Sequence, residues 1–207
     1  MKNSDKIIKY LDELFPNPKC ELNYNKDYEL LIATMLSAQT TDKRVNIVTQ
    51  QLFEKYKNLK ELSNAKLEDI IEIIKPLGTF NMKANSVLEI AKKLEPIGHV
   101  PNDRFFLESM KGVGRKTANV VLSNLYDIPV IAVDTHVKRT SIRLNLADKD
   151  DDVNTIEEKL TKKFKKKQLL RLHHQLVLFG RYHCKAKNPN CDICKLKDMC
   201  NKNKSEK

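Results

Sequence analysis

The chain has 207 residues, enough for one large domain or two small ones around a hydrophobic core. Apolar residues make up 41% and charged residues 31%, which excludes a disordered chain, and no apolar stretch approaches the roughly 20 residues that span a bilayer, so no membrane partner is expected. The formal charge of +11 favours a polyanionic partner, because lysines near phosphates displace condensed counterions, although a lysine-rich surface kept soluble by charge has the same composition.

Charges every few positions from Lys2 to Glu29 argue against a secretory signal, and the expected compartment is the cytoplasm. Ile7, Ile8, Leu11 and Leu14 recur at helical spacing and predict a first helix. Val45, Val48, Leu52, Phe53 and Tyr56 predict another, capped at Thr41-Asp42 and running to about Tyr56. Leu67, Ile70, Ile71 and Ile74 form the next stripe, which Pro76 and Gly78 end. Ala84, Val87, Leu88, Ala91 and Leu94 form a further one, ended by Pro96, Gly98 and Pro101. A short helical pattern covers Asp103 to Met110 and a longer one Lys116 to Tyr126. Ile128 to Val133 passes for a strand, but it is brief and holds Pro129. The basic run Lys162 to Lys167, beside Phe164, reads as a solvated helix face. Sustained alternation of period two is scarce, so the expected fold class is all-α.

Between the two helical patterns at Asp103 and Lys116 lies Lys111-Gly112-Val113-Gly114-Arg115-Lys116-Thr117. Two glycines around an aliphatic residue allow a tight turn, with Val113 pinned to the core. The turn's amides would adjoin a helix N-terminus, where partial positive charge suits a phosphate. This is the pattern of a helix–hairpin–helix, and a bare GVG is also an ordinary turn between packed helices. Lys116 falls in the first turn of the second helix. There the dipole works against the ammonium form and favours the nucleophilic amine; a phosphate-binding lysine would occupy the same place. Asp134, in Val133-Asp134-Thr135-His136, precedes a helical pattern and reads as an N-cap. That role is compatible with a carboxylate that stabilises positive charge on a sugar. His136 is a packing residue or a phosphate contact.

Of five cysteines, Cys20 stands alone and four crowd the C-terminal end as C-x6-C-x2-C-x5-C: Cys184, Cys191, Cys194 and Cys200. Such clustering points to a metal site rather than to disulfides. Four thiolates hold either zinc or a [4Fe–4S] cube. Structural zinc sites usually pair two CxxC knuckles; here only Cys191 and Cys194 form one, so the spacing leans toward the cube.

Together these features resemble the endonuclease III family of DNA glycosylases. Leu36-Ser37-Ala38-Gln39-Thr40-Thr41-Asp42 is similar to that family's early LSAQxTD segment. Gly112 to Thr117 is similar to its hairpin with the catalytic lysine, and Ala132 to His136 to its AVDTH segment. His173-His174, Gly180-Arg181-Tyr182 and the four cysteines match its C-terminal end. The resemblance implies a fold of two helical domains with a DNA cleft between them. A six-helix barrel with the hairpin would span residues 20–130, and a discontinuous cluster domain would join 1–19 to 131–207. It further implies Lys116 as nucleophile, Asp134 as its carboxylate partner, and the four cysteines as ligands of a [4Fe–4S] cluster. Gln39 would fill the gap left by an extruded base, Asp42 would lie near the lesion pocket, and Gly112, Val113, Gly114, Arg115 and His136 would contact DNA. Lys185 and Lys187 would meet phosphates. The implied partner is double-stranded DNA with damaged bases or abasic sites, bound by a monomeric, nucleoid-associated enzyme.

Two positions depart from the family pattern. Lys111 stands where a proline is common, which adds a charge and should loosen the turn slightly. Thr79, in Leu77-Gly78-Thr79-Phe80-Asn81, stands where a leucine commonly enters the duplex, and is a poorer apolar wedge. Two other readings compete. A monofunctional relative such as the adenine-mismatch glycosylase generally lacks the lysine and adds a C-terminal domain, so Lys116 and the end at Lys207 point away from it. A non-catalytic DNA-binding module would use the hairpin for phosphates and zinc for folding.

Overall fold

The computed structural model describes residues 2–201 and holds no strand among them. In chain order the helices are α1 (Asn3–Leu14), α2 (Asp27–Leu36), α3 (Asp42–Lys55), α4 (Leu59–Ser63), α5 (Leu67–Ile74) and α6 (Phe80–Leu94). There follow α7 (Arg104–Glu108), α8 (Arg115–Tyr126), α9 (Thr135–Arg143), α10 (Val153–Lys163) and α11 (Lys166–Leu178). A π-helical turn, Phe179–His183, follows α11, and a 3-10 turn, Lys197–Met199, lies near the end. No helix among the described residues is long and apolar enough to cross a membrane. The chain divides into two compact units: Cys20–Tyr126, and Met1–Lys19 together with Asp127–Lys207.

In the unit Cys20–Tyr126, α2 is the axis. Tyr28 through Leu36 are all buried, as a helix apolar on every side must be. Helices α3, α6 and α8 pack around it, with α4 and α5 against α6 and α7 against α8. The start of α2 has no side-chain cap of its own. Buried Glu29 reaches back instead, accepting from the Asn25 N–H at 2.7 Å and the Lys26 N–H at 3.3 Å. Asp27 ties the Pro96–Pro101 break to the same helix start, accepting from the Val100 N–H at 2.6 Å, and the Tyr126 hydroxyl donates to the Val100 carbonyl. The expected cap at Thr41 is present, its Oγ1 accepting from the Arg44 N–H.

The other unit joins the first helix to the last third of the chain. Ile7, Tyr10 and Leu11 of α1 enter a core with Val137, Ile156, Leu160, Leu169, Leu172, Leu176 and Phe179. Asp12 accepts from Arg171 and Gln175 of α11, both at 2.8 Å, and Tyr10 Oη lies 3.2 Å from His183 Nε2. Ile131, Ala132 and Val133 are buried but form a connector without a ladder, so the segment is not a strand. The basic run at Lys162 is not one helix face. Phe164 is buried and ends α10, and α11 starts at Lys166, so the lysines flank a turn.

Gly180 explains one residue of the Gly-Arg-Tyr motif. A Cβ there would sit 2.8 Å from His136 Cβ and 3.2 Å from the His136 backbone, so the π-helical turn rests directly on α9. Overpacking against backbone leaves nothing flexible to yield. Gly180→Ala is therefore expected to cost about 1–3 kcal/mol of stability, read as a lower urea midpoint at unchanged helical content; an unchanged midpoint would refute this packing.

Candidate nucleic-acid interface and iron–sulfur centre

The hairpin sits where α7 turns into α8. Gly112 has φ +82°, and a side chain there would meet Ser86 Oγ at 3.0 Å and Met35 Cγ at 3.2 Å, so both backbone and space call for glycine. Val113 is buried, with its N–H on the Met110 carbonyl, and anchors the turn. Gly114 is different: nothing lies within 4 Å of where a Cβ would be. Its carbonyl accepts the Ala118 N–H at 3.0 Å, which makes it the N-cap of α8, and it brings no side-chain acceptor to that helix start. Arg115 and Lys116 are the first two residues of α8, and both are exposed.

Lys111, the departure before the hairpin, makes a bond that a proline could not: its N–H donates to Glu89 Oε1 at 3.2 Å. Glu89 is on α6 and also pairs with Lys93, whose Nζ donates to the Ser109 carbonyl at 2.9 Å. The turn expected to loosen is thus held from α6.

Gln39 and Thr79 are exposed and lie in the same unit. Each has a left-handed backbone, φ 56° and 57°, unusual for residues other than glycine and most of all for β-branched threonine. Thr79 is the N-cap of α6 but makes no capping bond; its Oγ1 donates to the Gly78 carbonyl at 2.7 Å. Asp42 is the first residue of α3 and half-buried.

Asp134 and His136 belong to the other unit. Asp134 caps α9, accepting from the Val137 N–H at 2.8 Å. His136 packs under Gly180, with Nδ1 3.2 Å from Arg139 Nη2. Helix α9 also carries two arginines that sequence reading missed. Arg139 donates to the Cys184 carbonyl at 3.2 Å and the Gly180 carbonyl at 2.5 Å. Arg143 Nη1 lies 3.3 Å from Cys184 Sγ and donates to the Lys185 carbonyl at 2.8 Å. Their i,i+4 spacing after Asp134 was a visible signal; the loop that receives them was not. Burial holds Arg139 below its ordinary pKa, with Arg143 beside it acting the same way.

The four clustered cysteines line one cavity, with Arg143, Phe179, His183 and Lys197. Burial pushes the Cys194 thiol up, and the sulfurs of Cys184, Cys200 and Cys191 add to that. No three His, Cys, Asp or Glu side chains among the described residues converge as ligands of a single ion. Four sulfurs around a common space are the donor set that a [4Fe–4S] cube takes. The Arg143 contact adds a donor to a thiolate, as cluster sulfurs commonly receive. Lys185 and Lys187 are exposed on the loop between Cys184 and Cys191.

A family model described as HhH-GPD superfamily base excision DNA repair protein matches residues 32–166, and one described as the iron-sulfur binding domain of endonuclease III matches 184–200. The chain is 41% identical to endonuclease III of Bacillus subtilis over 202 residues, covering 97% of this chain and 92% of that protein. It is 40% identical to endonuclease III of Escherichia coli over 196 residues, covering 94% and 92%. A solved structure of a trapped endonuclease III–DNA covalent intermediate superposes with a TM-score of 0.93 at 40% identity, covering 100% of this chain and 99% of that one. The chain therefore belongs to the HhH-GPD superfamily of base excision DNA repair proteins, within the endonuclease III family of DNA glycosylases and abasic-site lyases that carry a [4Fe–4S] cluster.

Proposed function

We propose that this chain removes oxidised pyrimidines from double-stranded DNA through Lys116 and cleaves the strand 3′ to the abasic site. The observation that carries the reading is the placement of Lys116 in the first turn of α8, directly after a hairpin whose N-cap, Gly114, leaves open space for a phosphate. A covalent intermediate with DNA is on record for the related endonuclease III, which supports an amine nucleophile here. The unit Cys20–Tyr126 serves as the hairpin domain and the other as the cluster domain.

Gly112, Val113, Gly114 and Arg115 present backbone amides and a guanidinium to a phosphate, which positions DNA without reading its sequence. His136, Lys185 and Lys187 add phosphate contacts. Gln39 and Thr79 occupy the gap left by the extruded pyrimidine, and Asp42 lines the lesion pocket. Lys116 Nζ, as the neutral amine, attacks the anomeric carbon. The glycosidic bond breaks with its electron pair going to the base, which takes up a proton. The nitrogen then loses one of its two protons. Its lone pair breaks the ring C–O bond, whose electron pair goes to the ring oxygen. That oxygen takes up a proton, and the open sugar is held as an iminium that keeps one N–H. Asp134 stabilises the positive charge of the sugar. The iminium acidifies the neighbouring sugar C–H; loss of that proton expels the 3′ phosphate, and water releases the lysine. Cys184, Cys191, Cys194 and Cys200 hold the cluster, which when bound cross-links the loop bearing Lys185 and Lys187. The enzyme acts as a monomer in the cytoplasm, on the nucleoid.

The test is a panel of duplexes bearing oxidised pyrimidines, oxidised purines or abasic sites. Wild type is expected to cleave the pyrimidine and abasic duplexes. Lys116→Gln should bind them within about threefold of wild type while base release and cleavage fall by ~10³-fold or more. Preference for purine lesions would overturn the substrate assignment, and normal base release by Lys116→Gln would overturn the nucleophile.

Asp134→Asn separates capping from chemistry, because asparagine caps a helix about as well as aspartate. Stability should be nearly unchanged, while single-turnover base release slows by ~10²–10³-fold, the scale of losing one group aimed at transition-state charge. Equal rates for the two proteins would reduce Asp134 to a cap.

A further inference from the structure

Lys83 is a lysine in the interior of its unit. It is only 5% exposed, and burial lowers its pKa. Burying an ammonium is costly unless its donors are met. Here they are met by neutral oxygens: Nζ donates to the Ala38 carbonyl at 2.8 Å and to Thr40 Oγ1 at 3.1 Å. Those two residues flank Gln39, whose side chain is exposed and whose backbone is left-handed. The same lysine's N–H donates to the Thr79 carbonyl at 3.1 Å, in the first turn of α6. Thr79 is the other exposed, left-handed residue of this region. One buried residue therefore bonds to both strained segments, by its ammonium to one and its backbone to the other.

The polar residues that follow on α6 continue the pattern. Ser86 abuts Gly112, Glu89 takes the Lys111 N–H, and Lys93 holds the Ser109 carbonyl. Helix α6 thus touches the Gln39 loop, the Thr79 turn and the hairpin along one side, and Lys83 is its fixed point at the N-terminal end. Left-handed non-glycine residues persist only where their surroundings over-determine them. For Gln39 the tie from Lys83 to both neighbours is that over-determination.

We propose that Lys83 is a positioning residue for damage recognition: it clamps the Ala38–Thr40 turn to the start of α6 and so sets Gln39, relative to Thr79, at the position that the gap in a duplex requires. This rests on the reading of Gln39 and Thr79 as gap-filling groups. It makes Lys83 act through Gln39, with no contact to DNA of its own.

The experiment uses the full cluster-loaded chain and two duplexes of one sequence, one with a tetrahydrofuran abasic analogue and one undamaged, at fixed salt. Lys83→Met keeps the length and loses the donors. It should weaken binding to the abasic duplex about tenfold, less than its two lost charge-assisted bonds are worth because the loss reaches DNA only through Gln39, and to the undamaged duplex less than about twofold. Thr40→Val removes one acceptor and keeps the lysine; its loss should be about threefold and again confined to the abasic duplex. In a Gln39→Ala background, Lys83→Met should cost nothing more. Equal losses on the two duplexes would overturn the proposal, since a mere charge or fold contribution acts on both. So would additive losses in the double variant, or full abasic binding by Thr40→Val, whether or not Lys83→Met folds. Full abasic binding by Gln39→Ala would instead refute the reading of Gln39 as a gap-filling group, on which the proposal rests.

Discussion

Every helix start leaves backbone N–H groups that need acceptors, and how each start is answered separates structure from function in this protein. Thr41, Asn58, Asp103 and Asp152 answer with a side-chain oxygen. Glu29 answers from inside α2, which lets the axis of its unit stay buried throughout. Asp134 answers for α9 and remains half-buried. Gly114 brings no side chain to α8, and open space lies above it. A phosphate is the natural acceptor for such an end, and Lys116 stands two residues on, in the first turn.

The price of that arrangement is local strain held by a rigid neighbour. Gln39 and Thr79 adopt positive φ without being glycine; α6 bonds to both neighbours of Gln39, takes the Thr79 carbonyl into its first turn, and abuts Gly112 through Ser86. Helix α6 is a 15-residue element whose apolar side, through Ala84, Val87, Ile90, Ala91 and Leu94, is buried in the core. Its polar positions are then fixed in space by packing and can hold irregular loops in turn. In the other unit α9 has the same relation to the cysteine loop, through Arg139 and Arg143.

The regular parts of this architecture were legible because periodicity reports burial directly. The stripes at Val45, Leu67 and Ala84 each became a helix, and the caps at Thr41 and Asp134 stand where their residue types placed them. Val113 was legible as an anchor because an aliphatic between two glycines has few other uses. What was not legible depends on contacts distant in sequence. Nothing in Asn81-Met82-Lys83-Ala84 singles out Lys83, since only the fold brings Ala38 and Thr40 over it. Lys111 reads as a loosened turn until Glu89, 22 positions earlier, takes its N–H. The lysine run at 162–167 reads as one helix face, because no glycine or proline marks the break between Lys163 and Lys166. The cysteine spacing alone left zinc open, and the shared cavity was needed to set four sulfurs around one space.

The central claim is that the amine at the start of α8 forms the bond to DNA. The most direct measurement is borohydride reduction of the enzyme on a duplex with one oxidised pyrimidine, followed by proteolysis and mass mapping of the protein–DNA adduct. The account predicts a single adduct on Lys116. An adduct on another lysine, Lys83 included, or release of the base with no adduct at all, would contradict it.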